Sequence, residues 1–349
     1  MQSNKPVSVK DIATALGISL STVHKALTGK PGVGEKRRRE VLELAARMGY
    51  TVNSAAQSLA RKAMRLGVIM PDCWQEYFGP IREGIEGQIN ALRECRVEGE
   101  FCYLPLDYPQ NGIGILQKFL QEYKPDAVLY CPSHHSINEI AVKALSSLTV
   151  PVFWVGGGDH NPLNGPAVAI DAALSGNMAA DFLCCVRGTD TRAAVFTGSL
   201  QSSVHRAKSD AFCTRVLQNG GSVLRICETE DDNDRADAAV RALLEAHPDV
   251  NAIYVSTLTS LPVCRYLEQS GRVGAITLLG TDDFDALRAY MRRGVVQATI
   301  FQNQARVGEE AVQYAYEYLN RSNSYGREGF CQKERILIAP QLLLRANIE

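Results

Sequence analysis

The sequence predicts a small all-α headpiece followed by a two-lobed α/β core built on parallel sheets. Three features of the chain support this. Residues 7–48 hold three short stretches of helical periodicity separated by glycine-containing breaks. From Leu66 onward, short apolar runs alternate with helical patterns, which argues for parallel strands covered by helices on both faces. The length of 349 residues is more than one domain commonly holds, and a headpiece plus two lobes fits it.

The first stretch reads VSVKDIATALGISLSTVHKAL, from Val7 to Leu27. Ser8 is placed to cap a helix, and Asp11 three residues on completes a capping box at the positive end of the helix dipole. Ile12, Ala15 and Leu16 share one helical face. Gly17 ends the helix, because a residue without Cβ tolerates the left-handed backbone of a tight turn. Ser19 then caps a second helix in which Val23, Ala26 and Leu27 point inward. Leu20, Ser21, His24 and Lys25 are left pointing out. A major groove accepts a short helix of this kind, although the bare pattern also suits an ordinary helical hairpin. After Gly29-Lys30-Pro31-Gly32 a third helix is expected over 34–48, with Val41, Leu44, Ala45 and Met48 inward. Its first turns carry the run Lys36-Arg37-Arg38-Arg39.

Charge is polarised along the chain. The whole carries a net charge of −1, yet residues 1–65 hold twelve Lys and Arg against four acidic residues, a surplus of eight. The remainder holds 25 basic against 34 acidic residues. A basic end on two helices around a tight turn is an electrostatic footprint for DNA phosphates.

In the core, the strand candidates are LGVIM, GEFCYL, DAVLYC, PVFWVG, AAVFTG, SVLRIC, AIYVS, AITLLG and QATIF. Helical segments are expected at 81–92, 112–122, 138–147, 172–185, 204–219, 235–246, 261–269, 284–292 and 307–319. Ligands of such sheets sit beyond the carboxyl ends of the strands. The residues found there are Trp74, Gln75, Tyr77 and Phe78; Ser133, His134 and His135; Gly158 and Asp159; 199–206; Thr257 and Thr259; Asp282 and Asp283; and Gln302. Aromatic faces among a few hydrogen-bonding groups suit a polyhydroxylated ligand such as a sugar.

The chain resembles the lac repressor family of bacterial transcription regulators. The residues that carry the resemblance are KDIATALGIS-STV, the hinge pattern GY-x-x-N-x-x-A-x-x-L from Gly49, and the strand LGVIMP that opens the core. The resemblance implies a helix-turn-helix headpiece over 1–52 and a hinge helix and linker over 53–65. It also implies a core like type I periplasmic binding proteins, especially the ribose-binding kind. The first lobe is expected to span 66–166 plus 303–332, and the second 167–302 plus 333–349. DNA contacts are implied for Ser8, Ser19, Leu20, Ser21, Thr22 and Lys25. Hinge contacts are implied for Asn53, Ala56 and Leu59, with Leu59 wedging between base pairs at the operator centre. Effector contacts are implied for Gln75, Tyr77, Phe78, His134, Arg206, Thr257, Asp282 and Gln302. Arg206 precedes Phe212 at the spacing of the family's ligand-binding arginine, and the resemblance implies Arg206 and Asp282 on opposite sides of the cleft with Tyr77 or Phe78 against the ring face. Two positions depart from the family pattern. Thr257-Leu258 replaces an asparagine-aspartate pair, and His134 replaces an aspartate. Histidine beside Arg206 would admit an anionic ligand such as a sugar acid, while a neutral sugar with rearranged hydrogen bonds remains equally open.

The resemblance thus implies a cytoplasmic, homodimeric repressor of a carbohydrate-utilisation operon. It would bind near-palindromic double-stranded operator DNA and answer to a small sugar or sugar acid between its lobes. The other classes considered are a stand-alone sugar-binding transport receptor and a sugar-modifying enzyme. The sequence offers no phosphate-binding loop, no GxSxG elbow and no metal-ligand spacing, so neither an enzyme nor a cofactor is expected. No run of ~18 apolar residues suggests a membrane span. The polar amino terminus lacks a secretory pattern. The ten scattered cysteines, among them Cys184-Cys185 read as packed thiols, suit a reducing compartment. The carboxyl terminus lacks the leucine heptads of a tetramerising coiled coil.

Overall fold

A computed structural model describes residues 7–27, 32–48, 63–105, 112–132, 135–158, 161–325 and 335–348. The hinge residues Asn53, Ala56 and Leu59 and the loop residue His134 lie outside these.

The headpiece is three helices, α1 (Val9–Leu16), α2 (Leu20–Leu27) and α3 (Glu35–Arg47). The capping box forms: Asp11 N donates to Ser8 Oγ at 3.4 Å, and Ser8 N donates to Asp11 Oδ2 at 2.8 Å. Gly17 closes α1 with φ 64°. Ile12, Val23 and Val41, one from each helix, are fully buried, with Ala13, Ala26 and Ala45 around them and Leu16, Leu27, Leu44 and Met48 at the rim. Small alanines between large aliphatics let three short helices close on one another, which no single one of them could do in water.

The core holds two six-stranded sheets. The first contains β1 (Met64–Pro71), β2 (Val97–Leu104), β3 (Ala127–Tyr130), β4 (Val152–Val155), β5 (Ala167–Ile170) and β11 (Arg335–Ile338), in the order β11-β5-β4-β3-β1-β2, all parallel. The second contains β6 (Arg192–Thr197), β7 (Ser222–Glu228), β8 (Ala252–Val255), β9 (Thr277–Thr281), β10 (Ala298–Phe301) and β12 (Gln341–Leu344), in the order β12-β10-β9-β8-β6-β7. Only β12 runs antiparallel, against β10.

Helices cover both faces of each sheet. The first carries α4 (Gln75–Ala91), α5 (Gly112–Tyr123), α6 (His135–Leu145) and α12 (Gln304–Tyr325). The second carries α7 (Ala172–Arg187), α8 (Ser203–Gln218), α9 (Asn233–Ala246), α10 (Ser260–Gln269) and α11 (Asp285–Arg292). In β1, Leu66, Val68 and Met70 face one cluster with Ile81 and Ile85, while Ile69 faces the other with Tyr130 and Trp154. Burial on both faces explains why these strands read as continuous apolar runs.

The chain passes between sheets three times, after β5, after β10 and after β11. This corrects the expected lobe boundaries. β5 and β11, assigned by the sequence to the second lobe, pair with each other and with β4 in the first sheet. Their membership is decided by backbone hydrogen bonds, such as Asp171 N to Ile338 O at 3.0 Å, which apolar patterning does not encode. The same holds for β12; AVAI, RILI and QLLL are strands absent from the sequence-based set.

Candidate effector site and nucleic-acid interface

The carboxyl ends of the second sheet gather one buried polar cluster. Lys208, on α8, is 3% exposed. Its Nζ donates to the Ser256 carbonyl at 3.2 Å and to Gln302 Oε1 at 2.6 Å. Gln302 Nε2 donates in turn to Asp282 Oδ1 at 2.8 Å and Oδ2 at 2.9 Å. Asp282 follows β9 in the left-handed region, φ 70°. That conformation is held from both sides: its N donates to Ile300 O at 2.8 Å, and Thr299 Oγ1 donates to its carbonyl at 2.7 Å. Over-determined backbone of this sort concentrates at binding sites.

Burial dominates the electrostatics. It pushes the Asp282 carboxyl above the ordinary carboxylate range, against the pull of Lys208 and Gln302. It also pushes the Lys208 ammonium below the ordinary lysine value, against Asp282 and Asp231. A close helix contact fixes the height of Lys208: a Cβ on Gly176 of α7 would lie 2.2 Å from the Lys208 carbonyl, so only glycine permits this approach.

On the first lobe, α4 starts at Gln75, six residues before its apolar periodicity begins. Gln75, Tyr77 and Phe78 therefore occupy its first turn rather than a loop. Gln75 is exposed. Tyr77 is half-buried and donates its hydroxyl to the Gly156 carbonyl at 2.6 Å. Burial first, and then the charge of Asp282 from the other lobe, push its phenol upward, so Tyr77 and Asp282 lie within electrostatic reach of each other. Phe78 is 4% exposed and belongs to the core under the first sheet, edge-on to Tyr77 with centroids 5.0 Å apart, so only Tyr77 of that pair remains as a stacking face. Thr257 is buried and shares a 2.9 Å hydrogen bond with Thr259.

Arg206 is not brought to Asp282. Its Nε and Nη2 both donate to the Leu200 carbonyl, at 2.8 and 2.7 Å. Arg206 and Asp282 also both belong to the second lobe rather than facing each other across the cleft. Lys208 takes the inward position instead, because it precedes the buried Phe212 by four residues, about one helical turn, and so shares its inward face. Arg206, two residues earlier, falls on another face. The sequence signal for Lys208 was the apolar phase of α8. Asp283 pairs with Arg288 at 2.6 and 2.7 Å, turned away from Asp282 into an ordinary ion pair.

In the headpiece, Leu20, Ser21, His24 and Lys25 are all exposed on α2, as their spacing predicts. Leu20 is 52% exposed although the three-helix core beside it is closed, which fits a role outside that core. Ser19 Oγ accepts from Thr22 N at 3.1 Å and shares a 2.8 Å hydrogen bond with Thr22 Oγ1, so both residues cap α2. Ser8 is exposed at the start of α1. On α3, Arg37 is paired with Glu40 at 2.8 Å, while Lys36 and Arg39 are exposed.

Among the described residues no group of His, Cys, Asp and Glu is placed to hold a metal ion, and no helix is long and apolar enough to cross a membrane. The nine described cysteines are free. Cys184 is buried, but Cys185, expected to pack, is exposed.

Residues 66–323 match the periplasmic binding protein domain family. Among solved structures, GanP, a glucose-galactose binding protein from Geobacillus stearothermophilus, superposes with a TM-score of 0.69 at 20% identity, covering 82% of this chain and 99% of that one. The periplasmic ribose ABC transporter protein of Conexibacter woesei DSM 14684 superposes with a TM-score of 0.70 at 20% identity, covering 82% and 93%. At that identity these show a common fold. In sequence, the ribose operon repressor of Bacillus subtilis (strain 168) is 33% identical over 286 residues, 79% of this chain and 81% of that protein. The HTH-type transcriptional regulator AglR of Rhizobium meliloti (strain 1021) is 28% identical over 292 residues, 80% and 78% of the two chains. The ribose operon repressor of Haemophilus influenzae (Rd) is 22% identical over 353 residues. Because that last match takes in 98% of both chains, headpiece and core together, and the Bacillus match holds its higher identity over most of the length, the protein belongs to the lac repressor family of transcription regulators.

Proposed function

We propose that the protein represses a carbohydrate-utilisation operon, binding a near-palindromic operator as a homodimer in the cytoplasm and responding to a small sugar held between its lobes. The observation that carries this reading is the linked set Lys208, Gln302 and Asp282, a buried polar cluster at the strand ends of the second lobe with Tyr77 of the first lobe nearby. A carboxylate beside an ammonium and an amide suits paired sugar hydroxyls, and an aromatic ring suits the face of a pyranose or furanose.

The charge balance favours a neutral sugar over a sugar acid. Lys208 already lies in the field of two carboxylates, Asp282 and Asp231. Arg206, whose proximity motivated an anionic ligand, is tied to Leu200. An added anion would meet a cation that is already compensated.

Function then follows from linkage. A sugar that binds one lobe arrangement better than another shifts the population toward it, and by reciprocity the operator affinity shifts by the same factor. Leu20, Ser21 and Lys25 would read base edges, while Asn53, Ala56 and Leu59 would engage the minor groove. No catalytic step is assigned to the cluster.

Selection of operators from a random duplex pool, followed by a thermal-shift panel of neutral sugars, sugar acids and sugar phosphates, tests the whole. A sugar at ~100 times its dissociation constant stabilises by ~2.7 kcal/mol. The expected result is one enriched two-fold-symmetric sequence and a stabilising neutral sugar that changes operator affinity. Operator binding indifferent to every stabilising sugar would favour a receptor reading, and turnover of the sugar an enzymatic one.

A further inference from the structure

Beside the Lys208–Gln302–Asp282 cluster lies a second polar arrangement, on the same helix α8. His205 stands one turn before Lys208 on α8, with its ring against the end of β6. Ser199 N donates to its Nδ1 at 3.1 Å. A backbone N–H bonds only an unprotonated ring nitrogen, so the ring is neutral and carries its proton on Nε2. Nε2 faces Asp231 Oδ2 at 4.0 Å.

The ring is clamped in this orientation. A Cβ on Gly198 would lie 2.1 Å from His205 Cε1 and 2.2 Å from Nδ1, so the imidazole lies flat on the Gly198 backbone. Asp231 is set opposite by Thr229, whose N and Oγ1 both donate to the Thr197 carbonyl, at 2.8 and 3.0 Å.

The segment held by His205 leads straight to the site. Ser199 opens the β6–α8 loop, and Leu200 in it donates its N to Glu228 Oε2 at 2.8 Å and accepts from Arg206. The loop ends at Ser203, which meets the other lobe: a Cβ on Gly158 would lie 2.4 Å from Ser203 Oγ. Among the described residues, the charged groups acting on His205 are Asp231, in the turn after β7, and Lys208 on its own helix; Arg206 follows it on α8, and Glu228 and Glu230 flank the β7 end. Glu230 is paired with Arg235 at 2.8 Å. β6 contributes no titratable group at this end.

We propose that neutral His205, with Asp231, is a positioning pair that holds the Ser199–Ser203 loop and Lys208 in effector-binding geometry, so that protonation of His205 weakens effector binding. A proton on Nδ1 would confront the Ser199 N–H with a second donor, in a ring that Gly198 and Asp231 prevent from turning away. The Ser199 hydrogen bond is then lost and the loop loses its first tether. Burial, aided by Lys208 and opposed by Asp231, holds the His205 pKa below the ordinary histidine value. A depressed histidine keeps its neutral-state interactions above its folded pKa and loses them as pH falls through it, so the loss lies on the acid side of ~6.5.

This inference rests on the effector reading, and two measurements on the full-length protein separate their failures. Imidazole nitrogen shifts and the Ser199 amide are followed by NMR from about pH 7.5 to about pH 5.5, a range spanning ordinary histidine titration. The Nε2–H tautomer at the upper end, with the Ser199 amide moving on the same curve as His205, is expected. A charged ring or the other tautomer at the upper end, or a Ser199 amide indifferent to the titration, overturns the proposal. In parallel, binding of D-ribose, D-glucose, D-galactose and D-gluconate is measured by calorimetry at both ends, in wild type and in His205→Asn. The asparagine Oδ1 replaces the Nδ1 acceptor without titrating. Wild type should lose about tenfold in affinity on acidification, the scale of one buried hydrogen bond, while His205→Asn stays within about twofold. Equal loss in both proteins, or none in wild type while His205 titrates, overturns the proposal. Silence from every sugar at the upper end would overturn the effector reading instead, and the Ser199 titration would still decide the positioning pair.

Discussion

Gln302 donates one amide group to both carboxylate oxygens of Asp282, at 2.8 and 2.9 Å. Its own oxygen accepts from Lys208 at 2.6 Å. One neutral side chain thus joins a buried anion to a buried cation and satisfies both, where neither charge could be held alone at tolerable cost. Gln302 also opens the second of the three crossings between the lobes, directly after β10 and just before α12. The site is therefore placed where a change in lobe arrangement would be felt.

That geometry predicts that Gln302→Leu is costly to both fold and response. The apolar side chain strips a donor from Asp282 and an acceptor from Lys208, and leaving buried partners unsatisfied costs about 1–3 kcal/mol. Denaturant melts should show the loss, and calorimetry should show effector affinity collapsing. A variant with wild-type stability and affinity would mean that water replaces the amide without penalty.

Lys208 and Arg206 are expected to differ sharply despite standing two residues apart. Lys208→Met removes a buried cation and leaves Asp282 uncompensated, which costs about 3–5 kcal/mol in such pairs. It should abolish the effector response in an operator-binding assay. Arg206→Ala loses a partly exposed guanidinium that ties down Leu200, and should change effector affinity only severalfold. The reverse ranking would return the ligand role to Arg206.

Lys25 is exposed on α2 and is the residue best suited to donate to guanine O6 and N7. Lys25→Ala should cost about 1–3 kcal/mol on the selected operator and relax preference at one base position. Reselection of operators with the variant measures this. A base preference unchanged at every position would reduce Lys25 to a phosphate contact.

Gly17 has φ 64° and open space around its missing Cβ, so substitution there is penalised through the backbone alone. Gly17→Ala should destabilise the headpiece by about 1–2 kcal/mol, the cost of left-handed backbone for an L-residue. Operator binding should weaken accordingly while sugar binding is untouched. Equal thermal melts of the two headpieces would show that the α1–α2 turn relaxes to another conformation.

How much was legible in the sequence followed the range of the interactions involved. The headpiece could be read almost residue by residue, because Ser8 with Asp11, the left-handed Gly17 and the inward phase of Val23, Ala26 and Val41 all depend on neighbours within a few positions. The nine helical segments expected in the core and nine of its described strands were likewise encoded in local periodicity. Tertiary structure alone decided the rest. AVAI and RILI join the first sheet because backbone groups about 170 positions apart pair, as Ala167 does with Arg335. Phe78 is buried in the core while Tyr77 only packs against its edge because α4 begins at Gln75, which sets the phase of the two residues in its first turn. Lys208 rather than Arg206 is linked to Asp282, through Gln302, on the face of α8 where α7 presses close at Gly176. Which of two basic residues two positions apart turns inward depends on a helix's rotation about its axis, and that rotation is set by what packs behind it.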